Sequence, residues 1–280
     1  MATRYIGKGV TDLSTVGITD TDTLYSSEGG QTYSAGTNLS ALTQGLTAWY
    51  VEERFTGNGG TPGSPIRVDF DAGIGQFSYA AGGGSWYYYP GGDESLCNEI
   101  EQLGRGRLFL STGGTVTALE QANGYVYIPD TVAVTNFRQT GGECDQLYSS
   151  TLNTTWFIDG GLFRTGRGFT GTSYVGGGAN VIVSREDTSS TLPTGGTLVV
   201  GDATVKWRGG NITAVVLASA GAMLDLSEAP NAATIAVSGT AKALARSKLS
   251  SKYATLTVNV TEYVGKRESL YAAGGGFGPG

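Results

Sequence analysis

The 280-residue sequence contains no histidine. That single absence removes Ser-His-Asp and Cys-His catalysis, histidine-ligated zinc and the commonest general base. Cysteine is almost as scarce: Cys97 and Cys144 are the two present. With only 7 prolines and 15% charged residues, neither a proline-rich spacer nor a charged disordered tail fits the composition. No apolar run approaches the ~20 residues that a bilayer-spanning helix needs. The opening MATRYIGKGVTD lacks the apolar stretch of a signal peptide. The expectation is a chain made in a cytoplasm-like compartment, with no membrane partner. The net charge of −6 leaves no general basic surface for phosphates, so nucleic acid is not an expected partner.

Glycine (46) and tyrosine (15) are abundant, the makeup of many short strands joined by tight turns. An all-β fold is the expectation. The charge is unevenly spread: residues 1–100 carry 4 basic and 11 acidic side chains, whereas residues 201–280 carry 8 and 5. If the chain climbs along one axis, one end is acidic and the other mildly basic.

A repeat specifies the architecture. Related segments begin at Ile100 (IEQLGRGRLFL), Leu119 (LEQANGYVYIP), Phe137 (FRQTGGECDQL), Trp156 (WFIDGGLFRTG) and Tyr174 (YVGGGANVIVS), in steps of 19, 18, 19 and 18 residues. Each opens on an apolar residue and runs into a glycine turn, and most return to a short apolar strand. The interval is too long for a helical face or a strand alternation. It suits one coil of a parallel β-helix, whose rungs stack roughly 4.8 Å apart. A sandwich of hairpins would not impose such a step. Gln102, Gln121 and Gln139 then fall at one place on successive rungs, where their amides are expected to stack as a structural ladder.

Past residue 190 the motif loosens, but short Thr/Val/Leu strands with Gly, Asn or Ser corners continue. The reading is a parallel β-helix over 86–263, an N-terminal arm and cap region over 1–85, and a C-terminal docking tail over 264–280. In the cap region, Leu39, Leu42, Leu46 and Trp49 stand at helical spacing behind Asn38, which predicts a short helix over 38–54. A solenoid needs such a cover over its end rung.

Motifs that carry chemistry are weak. The carboxylate pairs Asp69/Asp71 and Glu143/Asp145 sit two apart on one strand face, which is the pattern of a solvated face before that of an acid/base pair. GRGFTG, residues 166–171, matches a dinucleotide fingerprint by letter, but no βαβ unit surrounds it. Cys97 and Cys144 fall on different sides of the column and read as reduced, small apolar residues. No catalytic residue, metal or cofactor is expected.

Two segments point to partners. SWYYYPGG places Trp86, Tyr87, Tyr88 and Tyr89 in sequence, and strand alternation turns about half of that aromatic surface outward, a candidate subunit interface. The tail YAAGGGFGPG, with Tyr271 and Phe277 and the preceding Lys266 and Arg267, is a candidate docking segment.

The SALTQGLTAWYVEERFTG stretch and the TLPTGGTLVV, GNITAVVL and ATIAVSG strands give the chain a pattern that resembles the β-helical decoration, or cement, proteins on the heads of tailed bacteriophages. The likeness is one of pattern over most of the chain. It implies a homotrimer bound to the major capsid protein on the outside of the virion, bracing the shell and carrying no catalytic residues. An alternative is a tail-fibre or tailspike module that binds host surface glycans. An adhesin of the bacterial surface is disfavoured by the opening sequence.

Overall fold

The computed structural model describes residues 2–6, 17–19, 21–26, 32–33, 46–60, 62, 66–67, 74–89, 96–111, 115–147, 153–184, 192–229, 234–249, 255–264 and 269–273. The chain divides into two compact units, Met1–Gln146 and Leu147–Gly280. Each is built from parallel sheets wound as a β-solenoid, so the all-β, parallel β-helix reading holds.

In the first unit the strands are β1 (Thr3–Ile6), β2 (Thr23–Ser26), β3 (Thr32–Tyr33), β4 (Leu46–Val51), β5 (Asn58–Gly59), β6 (Ile66–Arg67), β7 (Ile74–Tyr79), β8 (Ser85–Tyr89), β9 (Leu96–Gln102), β10 (Arg107–Leu110), β11 (Thr115–Gln121), β12 (Tyr125–Ile128), β13 (Ala133–Gln139) and β14 (Glu143–Gln146). A long sheet runs β1-β2-β4-β7-β9-β11-β13 and a short sheet β3-β5-β8-β10-β12-β14, with β6 also on β8. Alternate residues point between the sheets, so β12 reads half-buried, buried, half-buried, buried. The interior is aromatic at its early rungs: Trp49 meets Phe77 and Trp86 edge to face, and Phe77 stacks on Tyr88 at 4.5 Å. Later rungs are mainly aliphatic, with Ile100, Leu108, Leu119, Val126 and Val134 buried beside Phe137.

The second unit contains β15 (Thr155–Ile158), β16 (Leu162–Thr165), β17 (Phe169–Val175), β18 (Asn180–Val183), β19 (Gly195–Val200), β20 (Thr204–Trp207), β21 (Ile212–Leu217), β22 (Met223–Asp225), β23 (Thr234–Gly239), α1 (Ala241–Arg246), β24 (Thr255–Val264) and β25 (Ser269–Ala273). Its long sheet runs β15-β17-β19-β21-β23-β24-β25 and its short sheet β16-β18-β20-β22. Pairing is parallel except that β25 folds back antiparallel on β24. Trp156, Phe163, Phe169 and Trp207 fill its interior with Val and Leu side chains. Helix α1 is the one helix among the described residues. Thr240 caps it by accepting a hydrogen bond from Ala243 N at 3.2 Å.

The repeat identified in the sequence is the coil of the solenoid. Ile100 pairs with Leu119 and Leu119 with Phe137, while Gln102, Gln121 and Gln139 are register neighbours and buried. Their hydrogen bonding differs from an amide ladder. Gln102 Nε2 donates to Gly104 O and Gly106 O, and Gln121 Nε2 donates to Gly124 O and to Glu143 O of the next coil. Gln139 Nε2 donates to Gly142 O. Tight glycine turns leave inward carbonyls beside each glutamine, and an unpaired buried carbonyl is costly. Each glutamine therefore serves the turn that follows it, and Gln121 also reaches the next coil.

Three expectations are corrected. Leu46–Val51, within the stretch expected to be helical, is strand β4; residues 38–45 lie outside the described residues. Thr47, Trp49, Tyr50 and Val51 favour a pleated surface, and parallel partners on both sides outweigh the helical spacing of the leucines. Parallel pairing also begins well upstream of residue 86, at β1. Finally, the phase slips at Tyr174, which pairs with Phe157 rather than Trp156 and points outward. Ser173 takes the buried place, with Oγ accepting from Trp156 N at 2.8 Å.

Gly124 shows what the turns demand. Its φ is +65°, and a Cβ there would meet Gly104 O and Gln102 Nε2 at 2.5 Å. Gly178 has φ +75° with open space around it. Gly124→Ala should therefore lower stability by about 2 kcal/mol or more, and Gly178→Ala by about 1 kcal/mol through backbone strain alone. Urea midpoints of the two variants check the difference.

Candidate functional site

The outer faces of the sheets differ in chemistry, and each difference comes from strand composition. On the long sheet of the second unit, β15, β17, β19, β21 and β23 read TWFI, FTGTSYV, GGTLVV, ITAVVL and TIAVSG. None of these strands contains a charged residue. Register aligns Phe157, Tyr174, Val199, Val216 and Ser238 in one outward column. Thr172, Thr197 and Ala214 form a second. Phe157 and Tyr174 stack at 5.1 Å with their rings 17° apart, and they are 48% and 44% exposed. Together they form an exposed aromatic patch on charge-free strands.

The long sheet of the first unit presents a different face. Tyr5, Tyr25 and Tyr50 stack at 5.3 and 5.1 Å, and Tyr50 donates its hydroxyl hydrogen to Gln76 Oε1. Further along stand Glu99, Glu101 and Glu120, with Arg138 3.5 Å from Glu120. Burial, then the neighbouring Glu101 and Glu120 carboxylates, push the Glu99 carboxyl above its ordinary value. Among the described residues, no three His, Cys, Asp or Glu side chains gather as a metal site.

The short sheet of the first unit carries an aromatic row. Tyr87 stacks on Phe109 at 4.7 Å, and Phe109 meets Tyr125 and Tyr127 at tilted angles. Together with Pro62 and Pro129, Tyr87, Phe109 and Tyr127 border an apolar cavity of about 300 Å³. The Tyr125 hydroxyl donates to Asp145 Oδ2 at 2.9 Å. Burial first, then the carboxylates of Asp130 and Asp145, raise the Tyr127 phenol above its ordinary value. A second, polar trough of about 580 Å³ lies over the turns, bordered by Glu53, Leu103, Arg105 and Asn123. One acid and one base on its rim do not make a pair of acid/base carboxylates.

The residues named from sequence are placed as follows. Trp86 and Tyr88 are core residues, 0% and 1% exposed, and cannot meet a partner subunit. Strand alternation decides this: Tyr87 between them points outward and is half-buried. The Tyr89 side chain lies outside the described residues. So do Lys266, Arg267 and Phe277, and of Tyr271 only the backbone, in β25, is described. Asp69 and Asp71 are likewise outside the description, while Glu143 and Asp145 both lie half-buried on the outer face of β14. Cys144 is buried on the short sheet; Cys97 belongs to the other sheet, in register with Val116. Arg167 of the GRGFTG stretch is fully buried, donating from Nε to Leu147 O at 3.0 Å. That places the motif in a structural bend.

Two buried carboxylates hold the solenoid edges. Asp22 accepts from Ala2 N, Thr19 N, Thr19 Oγ1 and Arg4 Nε. Asp225 accepts from Ser227 N, Ser227 Oγ and Lys248 Nζ. Burial would raise both carboxyls, but these donors outweigh it and hold Asp22 well below the carboxylate range and Asp225 at about 2.

The charge-free face was within reach of the sequence. Five strands without Asp, Glu, Lys or Arg are visible as letters once their boundaries are set, and only the boundaries past residue 190 were obscure. No protein-family model, curated protein or solved structure matches the chain.

Proposed function

We propose that this chain is a structural virion protein that binds the outside of a phage capsid as a decoration or cement protein. Its work is done by faces rather than by a catalytic centre. The observation that carries the reading is the charge-free outer face of β15, β17, β19, β21 and β23, with Phe157 and Tyr174 exposed on it. Charge depletion with aromatic enrichment is the signature of an interface core. Parallel coils bonded along their length make a stiff support for such a face. Contacts that exist only in the assembled shell stabilise that shell by mass action. Self-association as a homotrimer, attachment to the major capsid protein and the virion exterior as location all belong to this proposal. So does docking through Lys266, Arg267, Tyr271 and Phe277.

The test adds purified protein to capsids that lack it and measures sedimentation with the particle and the temperature of shell disruption. Saturable binding and a raised disruption temperature are expected, and removal of residues 272–280 should abolish binding. Protein that stays in the supernatant at every concentration refutes the assignment.

One observation favours a second reading, a glycan-binding tail module. The cavity beside Tyr87, Phe109 and Tyr127 offers aromatic surface with Asp145 nearby to accept from sugar hydroxyls. Titration with soluble host-type oligosaccharides, followed through tyrosine fluorescence, separates the two.

A further inference from the structure

We infer that the cavity on the outer face of the first unit's short sheet is a binding site for a quaternary ammonium group, the charged head of a choline-like ligand. Such a site concerns neither capsid contact nor a sugar, so it goes beyond both readings above.

The cavity is built by register. Tyr87 pairs with Phe109, Phe109 with Tyr127 and Tyr127 with Asp145, so one outward column carries three rings and then a carboxylate. Tyr87 and Phe109 lie nearly parallel, 14° apart, but Phe109 and Tyr127 are inclined at 45° with centroids 6.2 Å apart. Rings so inclined do not cover each other, and ring face as well as ring edge borders the space. The face is the negative side of the aromatic quadrupole, which attracts a cation within ~6 Å of the centroid. A volume of about 300 Å³ is at the lower end of small-molecule sites and suits a compact head group.

The walls select among ligands. Pro62, Leu110 and Pro129 close the cavity with apolar surface. Among the described residues, only Ser111 and the two tyrosines border it with a side chain that can hydrogen-bond. A pyranose would bring several hydroxyls there, and each one left unpaired costs free energy. A lysine ammonium or a guanidinium would bring more N–H donors than these hydroxyls can accept. A quaternary ammonium carries charge but no N–H, so its head leaves no donor unsatisfied.

Charge points the same way. Strands β8, β10, β12 and β14 carry one base, the exposed Arg107, against Glu143 and Asp145, and Asp130 stands in the turn after β12. Among the described residues, no Lys or Arg borders the cavity. The Asp130 and Asp145 carboxylates act on Tyr127 itself, raising its phenol further than burial alone does. The Tyr125 hydroxyl holds Asp145 in place without adding charge. An anion is repelled from such a site, and a cation is held against half-buried rings, where partial desolvation strengthens the contact.

The test titrates the full chain with choline chloride, using calorimetry for the Kd and saturation-transfer NMR for the bound protons. Choline should bind saturably with a Kd of ~1 mM or tighter, its N-methyl protons receiving the strongest transfer. The uncharged isostere 3,3-dimethylbutan-1-ol keeps the shape without the charge and should bind at least ~tenfold more weakly. Phe109→Leu keeps apolar bulk but removes a ring, which should weaken choline binding ~fivefold. Asp130→Asn changes an exposed turn residue, so it keeps the test decisive if the Phe109 variant does not fold. It should weaken binding ~twofold to threefold at low salt, and the difference should fade as salt is added. Phosphatidylcholine vesicles form a further arm: flotation that free choline competes away assigns the head group to a lipid, and choline binding without flotation assigns it to a free ligand. No saturable binding up to ~10 mM choline overturns the inference. So does equal binding of the isostere, or an oligosaccharide that binds where choline does not. Capsid sedimentation is read separately, so failure here leaves the virion reading standing, and failure there leaves this site standing.

Discussion

Replacing Trp49 by alanine should destabilise the first unit by about 3–5 kcal/mol, the largest effect expected of any single core substitution here. Trp49 is fully buried between β2 and β7, and its ring meets Trp86 at 5.3 Å and Phe77 at 6.1 Å, both edge to face. Deleting the indole removes its transfer free energy and opens a void lined by aromatic rings held on parallel strands, which cannot collapse without breaking register. It also takes the Nε1 donor from Ser26 Oγ, which sits at 3.1 Å and is itself buried. The measurement is the urea midpoint followed by tryptophan fluorescence. Trp49→Phe should recover much of the loss, since it restores ring contacts but not the hydrogen bond. If both variants unfold at the wild-type midpoint, the aromatic interior described here is wrong.

The second large effect is expected at Asp22. Its carboxylate, buried to 0% exposure, gathers four hydrogen bonds from Ala2, Arg4 and Thr19 and so ties β1 to β2. Asp22→Ala leaves two backbone N–H groups and a half-exposed guanidinium without their acceptor, at a cost of about 3 kcal/mol. Amide exchange across Thr3–Ile6 reads the loss locally. The pH dependence has a definite sign. The folded carboxyl is held below its unfolded value of 3.8, so its contribution is complete above that value and disappears as pH falls through the folded one. Asp225 behaves alike, its share being lost between about 4 and about 2. Wild type should therefore weaken steeply with acid below pH 4, and Asp22→Ala less steeply.

What was legible in the letters was legible because the coils were equal. Between Ile100 and Phe137, steps of 19 and 18 residues carry Ile100 onto Leu119 and Phe137, and register confirms each placement. In the first unit's early coils, Tyr5, Tyr25, Tyr50 and Ser78 are vertical neighbours at steps of 20, 25 and 28 residues. Turns of such unequal length hide the period, and the Leu46/Trp49 spacing then imitates a helix. The same cause moved Tyr174 from the expected interior to the surface: a coil one residue shorter than the expected step sets Ser173, not Tyr174, beside Trp156 and turns Tyr174 outward. The aromatic run of β8 was half legible. Alternation required that some of Trp86, Tyr87 and Tyr88 point inward, but which ones depends on a phase that neighbours set. The charge-free face depended on the same boundaries, so it emerged only with the register of β17 through β23.

The reversed strand β25 has a consequence for growth. Every other pairing described in the second unit runs in one direction, so an open final coil would offer the next chain a template on which to continue winding. By doubling back along β24, the hairpin turns that template around: its outermost backbone groups now have the wrong polarity to extend the coil in parallel. An antiparallel edge of this kind disfavours end-to-end winding of parallel coils into fibres.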